Sequence, residues 1–264
     1  MKRVSSTQIS KKAKRFLAVL LSLVILLLAP VFEAYASAVG TLIKSFTEEQ
    51  EVTAGVVHKK VTQFTSEGWL SINILQVDLT NPYIKLKAMT NTTNSTKLTN
   101  VKNIAASNSA VAAVNANFYF STGNGNANAL GPVISDGKIV SMSHNFNANG
   151  STMATFSLDS FRMPSIDYWK TEMYIISPLN GASQEITNYN RMSSYNFRDV
   201  IVLDRNYGKM SLGASAQYPD LVEMVVENNI VKEIRIGQPP VEIPENGYVA
   251  VSYAVKNNFI MDNF

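Results

Sequence analysis

The chain is predicted to fold as an α+β protein, rich in mixed β-sheet and poor in helix. Three observations carry that reading. Short apolar segments rich in valine and isoleucine recur between turn signals, as in Val56–Thr62, Val200–Leu203, Leu221–Val226, Ile230–Ile236 and Tyr248–Tyr253. Asp136-Gly137 and Asn228-Asn229 each sit between two such segments, which is the mark of a two-residue hairpin. Helical spacing is clear in one place, where Leu98, Val101, Ile104 and Ala105 predict a helix over 99–108.

The N-terminus reads as an export signal. Lys11, Lys12, Lys14 and Arg15 close a basic region, an apolar run follows from Phe16 to Leu28, and Ala34-Tyr35-Ala36 is an Ala-x-Ala cleavage site, with Ala36-Ser37-Ala38 as a second. An uncleaved anchor is the competing reading, and both export the rest of the chain. The expected organisation is therefore a signal over 1–38 and one large domain over 39–264, with two domains as the weaker option and the membrane touched only through the signal.

Composition narrows the chemistry. The formal charge of +3 depends on the signal: residues 1–38 hold six of the 23 basic residues and one of the 20 acidic ones, so the remainder has 17 against 19, a net charge of −2. That balance gives no electrostatic case for nucleic acid. There are no cysteines and only two histidines, His58 and His144, so neither thiolate nor His-based metal sites are expected, and no cofactor. An exported chain without cysteine suits a bacterial cell envelope.

Taken in order, Phe46–Gln50 reads as a short helix or a flexible lead-in, and His58 as an exposed strand residue. The run Trp69–Leu79 alternates Leu70, Ile72, Ile74 and then changes phase to Leu75, Val77, Leu79, which predicts a bulge or a strand covered on both faces, with Trp69 in the core. Ile84, Leu86 and Ala88 alternate with Lys85 and Lys87 as a strand with one wet face. Asn91, Asn94 and Asn149 begin glycosylation triplets, read as chance matches. Strands are expected again at 153–158 and 172–176.

The functional expectation centres on 111–138. Val111, Val114 and the alanines between them predict a buried strand that fixes Asn115 and Asn117 at its tip, followed by Phe118, Tyr119 and Phe120. A Gly/Asn loop comes next, then Leu130-Gly131-Pro132-Val133-Ile134 and the turn Ser135-Asp136-Gly137-Lys138. Amides donate and accept, which suits sugar hydroxyls. Aromatic faces suit the apolar side of a sugar ring, and glycines let backbone N–H groups approach an anion. Asp136 is read as a turn former and His144 as a minor candidate.

Asn115-Ala116-Asn117-Phe118-Tyr119, the glycine-rich gap and Leu130 to Lys138 together resemble the phosphodiester glycosidase family, which includes the enzyme that uncovers mannose 6-phosphate by removing N-acetylglucosamine from a phosphodiester. Gly68–Leu79, Asn190-Arg191 and Asp199–Asp204 extend the resemblance over about residues 55–264. It implies a substrate-binding set of Asn115, Asn117, Phe118, Gly131 and Arg191. An arginine at 191 would grip phosphate. The family pattern continues into an Asp-Gly-Gly-Gly-Ser-like acidic motif that this sequence lacks, and glycoside cleavage needs two carboxylates. The expectation is an incomplete domain, truncated before that motif and inactive alone, with catalytic residues unknown. The alternatives are a non-catalytic envelope protein that binds glycan or a phosphodiester polymer, and a truncated product without stable activity.

Overall fold

The structure, a computed structural model, describes residues 40–144, 153–191 and 200–264. The export signal, Asn149 and Asp199 lie outside the described residues. The chain divides into two compact units, Met1–Asp78 and Leu79–Phe264. Strands dominate both, as the sequence predicts, and among the described residues no helix is long and apolar enough to cross a membrane.

In the first unit, β1 (Leu42–Thr53), β2 (Val56–Thr65) and β3 (Gly68–Val77) form an antiparallel three-stranded sheet in that order. Three expectations need correction. Phe46–Gln50 is neither helix nor lead-in but the middle of β1, where pairing overrides the poor strand propensity of Glu48 and Glu49: Glu49 faces Lys59 on β2 and binds it at 2.9 Å. Nor does the phase change in β3 mark a bulge. The β2–β3 register is unbroken from Val56↔Val77 to Thr65↔Gly68, so apolar residues simply occupy both faces of a largely exposed strand. Trp69, expected in the core, is 65% exposed and packs on Phe64 at 4.8 Å between ring centroids. His58 lies on β2 as expected, half-buried, with Nε2 3.0 Å from Asn73 Oδ1.

The second unit is built on a mixed sheet. Its members are β6 (Val133–Ser135), β7 (Lys138–Ser143), β11 (Ser183–Tyr189), β12 (Val200–Leu203), β13 (Leu221–Glu227), β14 (Ile230–Ile236) and β15 (Gly247–Tyr253), ordered β14-β13-β15-β12-β11-β7-β6, with β10 (Tyr174–Ile176) also paired to β11. The β11–β12 pair is parallel and the rest are antiparallel.

The central strands are apolar on both faces because both faces are covered. Ile201, Leu203, Leu221, Val225, Val249 and Val251 pack with Tyr207 and Ile243 on one side. Val200, Val202, Val222, Met224, Val226 and Ala250 pack with Ile175 and Ile260 on the other. This is why Val200–Leu203 reads as an unbroken apolar run. Ile260 comes from the short helix α2 (Phe259–Asn263), the second of two helices among the described residues, and α1 (Val101–Ser107) is the one predicted from spacing. Asn100 caps α1 through its side chain, which accepts from the Asn103 N–H at 2.8 Å.

The predicted hairpin turns are present. Asp136-Gly137 has φ of 50° and 70°, and Asn228-Asn229 has 51° and 61°, both in the left-handed region that a type I′ turn requires. Asp136 is the turn former the sequence suggests, and it also meets Lys87 as an ion pair. Two further hairpins complete the unit, β4 (Tyr119–Gly123) with β5 (Asn126–Ala129), and β8 (Thr155–Leu158) with β9 (Pro164–Asp167). Residues 84–88, expected as a strand, have no regular structure, and the Arg162 guanidinium binds the carbonyls of Asn81 and Ile84 instead of a neighbouring strand doing so.

Candidate functional site

The sharpest feature in the second unit is Arg191, which follows the end of β11. It is 9% exposed, and its Nε and Nη1 are buried with no hydrogen-bond partner. Burial removes hydration that no protein group replaces, so the guanidinium is pushed down to about 10. A buried charge is normally paired. One left without partners inside a folded chain is chemically disposed to accept an anion, and its planar donors match phosphate or carboxylate oxygens.

The frame that leads into Arg191 is made of neighbouring side chains. Asn190 is buried and sits at φ 52°, a conformation that asparagine tolerates better than most residues. Its amide donates to the Val140 carbonyl at 2.9 Å and to Asp204 Oδ1 at 2.6 Å, and its Oδ1 accepts from the Asp204 N–H at 2.8 Å. Asp204 also accepts from the Tyr189 hydroxyl on Oδ2 at 2.9 Å, from the Asn206 N–H on Oδ1 at 2.7 Å and from the Asn206 side chain on Oδ2 at 3.2 Å. Burial, then the Asp204 charge, holds the Tyr189 phenol well above its ordinary range.

The same frame reaches the Gly/Asn segment. The Asn206 carbonyl accepts from Ser95 N–H at 2.7 Å, and the neighbouring Thr96 carbonyl accepts from Ala127 N–H on β5 at 2.7 Å. Asn94 orders that connection through its side chain, which accepts from the Thr96 N–H and hydroxyl. Asn190, Asp204, Asn206, Ser95, Thr96 and β5 are thus one hydrogen-bonded series.

The remaining expected site residues fare differently. The buried strand predicted over 111–114 is absent: residues 112–118 have no regular structure, and Val111 and Val114 are exposed. The alanines between them have too little side-chain area to anchor a strand. Asn115 and Asn117 are therefore exposed and not fixed at a strand tip, and neither amide partners Arg191 Nε or Nη1. Phe118 is 73% exposed rather than packed beneath a strand end, although its carbonyl accepts from Leu130 N–H at 2.9 Å, which sets buried Gly131 just beyond it. The expected loop at 122–128 is the β4–β5 hairpin, with Asn124-Gly125 at φ 52° and 72° in its turn. Its glycines serve the turn: the Gly125 carbonyl accepts from Leu98 N–H at 2.9 Å.

His144 is a structural joint. Its buried ring accepts the Met173 N–H on Nδ1 at 2.8 Å, holds Nε2 3.5 Å from Glu185 Oε1 and sets its edge against Tyr174. Among the described residues no group of three or more His, Cys, Asp or Glu side chains could hold a metal. Asp204 and Asn206 were not singled out from the sequence, although Asp-x-Asn directly after a strand is a local signal for a side chain capping its own turn.

No protein-family model matches the chain, and no curated protein matches it. Solved structures share its fold. A hypothetical protein from Synechocystis aligns with a TM-score of 0.61 at 18% identity over 80% of this chain and 38% of its own. A Burkholderia pseudomallei K96243 protein, provisionally described as exported, aligns with a TM-score of 0.62 at 13% identity over 84% of this chain and 66% of its own. The chain spans less than two thirds of the length of either.

Proposed function

We propose that the chain is an exported protein that binds a sugar phosphodiester, with Arg191 as the phosphate contact and the β4–β5 side of the frame as the neighbourhood of the sugar. One observation carries the reading: a guanidinium nine-tenths buried, with Nε and Nη1 unpartnered, in the Asn190-Arg191 segment that resembles the phosphodiester glycosidases. Export is supported by the N-terminal pattern over 1–38 and by the provisional description of the Burkholderia neighbour. Exposed Asn115, Asn117 and Phe118 are accessible to a glycan and lead directly into the hairpin.

Binding without turnover is the second reading, and the state of Asp204 favours it. Hydrolysis of a glycosidic bond needs a pair of carboxylates about 5–9.5 Å apart. Asp204, the carboxylate of this frame, accepts from four donors and has no lone pair left for acid–base work. In the family pattern the acid belongs to a later motif, so the role proposed for these residues is recognition, in an envelope glycan or phosphodiester polymer as much as in a small substrate.

The test uses N-acetylglucosamine 1-(methyl phosphate) as probe. Calorimetry should detect binding by the full chain, and Arg191→Met should weaken it by about tenfold or more, the worth of a charge-assisted hydrogen bond. Release of free sugar in the same mixture would establish hydrolysis, and binding without release would establish the second reading. No heat of binding with this probe or with a teichoic-type polymer sinks both.

A further inference from the structure

We infer that Asp204 is a positioning residue for Arg191: its carboxylate fixes the backbone that presents the guanidinium, while being unavailable to neutralise it. The inference rests on Arg191 being the anion contact proposed above.

Two facts set the first half. Asp204 binds both residues that precede Arg191, Tyr189 through Oδ2 and Asn190 through Oδ1 and its own N–H. Asn190 stands at a positive φ that an unassisted side chain would not favour, and its amide is clamped between Asp204 and the Val140 carbonyl. The direction in which the chain leaves β11 is therefore set by Asp204, and Arg191 is the next residue along.

The second half follows from the donor count. Tyr189 hydroxyl, Asn190 amide, Asn206 N–H and Asn206 amide fill the four acceptor positions of the carboxylate. All four donors are neutral. The carboxylate is thus occupied by neutral donors, and neither oxygen partners Arg191 Nε or Nη1. A buried guanidinium is ordinarily paired with a carboxylate. Here it is occupied, and the guanidinium keeps its charge for a ligand. The carboxylate form is required: a carboxamide would turn one acceptor into a donor facing donors.

The experiment compares the full chain with Asp204→Asn, Asn190→Gly and Arg191→Met. Asn190→Gly keeps access to positive φ and removes only the clamp, so it tests the same claim if Asp204→Asn fails to fold. The first readout needs no ligand: the 15Nε resonance of Arg191 should move in Asp204→Asn and in Asn190→Gly, since the side chain loses its fixed setting. The second is dimethyl phosphate affinity, expected to fall about tenfold in each variant, with no additional loss when Asp204→Asn is combined with Arg191→Met. An unmoved Arg191 resonance in either folded variant overturns the positioning role. So does wild-type affinity in Asn190→Gly. If the resonance moves but the wild-type chain takes up no dimethyl phosphate, the positioning stands and the ligand reading falls.

Discussion

Asp204 and Asn190 hold each other by two reciprocal hydrogen bonds, side-chain amide to carboxylate at 2.6 Å and backbone N–H to amide oxygen at 2.8 Å. The pair ties the end of β11 to the end of β12, a parallel pair in an otherwise antiparallel sheet. Order accumulates up to residue 190, and the next side chain is a buried cation with two unpartnered nitrogens. Stability is given up at one position that its surroundings hold firmly, the pattern expected of a binding site.

The first prediction is that Arg191→Met stabilises the ligand-free chain. Methionine has similar reach, needs no hydrogen bonds and adapts to irregular space. Replacing an unpaired buried charge with an apolar side chain of like volume should raise the unfolding free energy by about 1–4 kcal/mol. Urea denaturation measures it, and a lower midpoint for the variant would show that the guanidinium is satisfied in solution.

The second concerns alkaline pH. Burial pushes the Arg191 guanidinium down from its ordinary value in an unfolded chain to about 10 in the folded one. Between those values the unfolded state binds more protons, so this group's contribution makes stability rise with pH. Its penalty, about 3 kcal/mol, is whole below pH 10 and is relieved as pH climbs toward the ordinary guanidinium value. Tyr207 acts in the opposite sense, since burial pushes its phenol up to about 12 and the folded state then keeps a proton that the unfolded state loses. The difference between wild type and Arg191→Met cancels the tyrosines. That difference should shrink as pH rises from about 10 to 12, and a constant gap would refute the buried cation.

The legible parts of this molecule are those decided locally. Asp136-Gly137 and Asn228-Asn229 announce their turns because few other residues take positive φ, and Val200–Leu203 announces a twice-covered strand because nothing polar interrupts it. What the sequence does not reveal depends on partners distant along the chain. Strand β1 carries Glu48, Glu49 and Gln50, and only its pairing with Lys60, Lys59 and His58 makes it a strand. Val111 and Val114 suggest a buried strand, yet among the described residues no strand pairs with them and they lie exposed. Arg191 enters through a resemblance; its burial is not legible in Asn190-Arg191, since nothing in those two residues says what covers them.

A third prediction tests the far side of the sheet. Glu223 on β13 is 1% exposed, and its Oε1 accepts the Gly213 N–H at 2.9 Å while Oε2 lies 3.5 Å from Arg235 Nε. Gly213 is at φ 64°, and a Cβ there would stand 2.3 Å from the Pro240 nitrogen, so the loop has no other way to sit. Glu223→Ala would leave the Gly213 N–H without its acceptor and take from Arg235 the carboxylate beside its Nε, while Glu233 and the Pro239 carbonyl stay with the guanidinium. A loss of about 3–5 kcal/mol is expected, read from chemical denaturation. Gly213→Ala should destabilise independently of charge, and a tolerated alanine there would contradict the close approach to Pro240.

The last prediction concerns α2, whose five residues are too few to be stable alone. Its position comes from Ile260, fully buried against Val222, Met224 and Val226 side of the sheet, and from Ser177 and Asn180, whose side chains donate to the carbonyl and Oδ1 of Asn263. Burial of one isoleucine outweighs the two polar ties, because exchanging a hydrogen bond with water for one in the protein gains about 1 kcal/mol, whereas Ile→Ala in a packed core costs about 2–5 kcal/mol. Ile260→Ala should therefore destabilise the second unit more than Asn180→Ala does. The same substitution should increase hydrogen exchange at Ile175 and Ile176, since β10 is held to β11 on the face that α2 covers. Equal melting losses in the two variants would mean that the polar ties, and not the isoleucine, hold the helix in place.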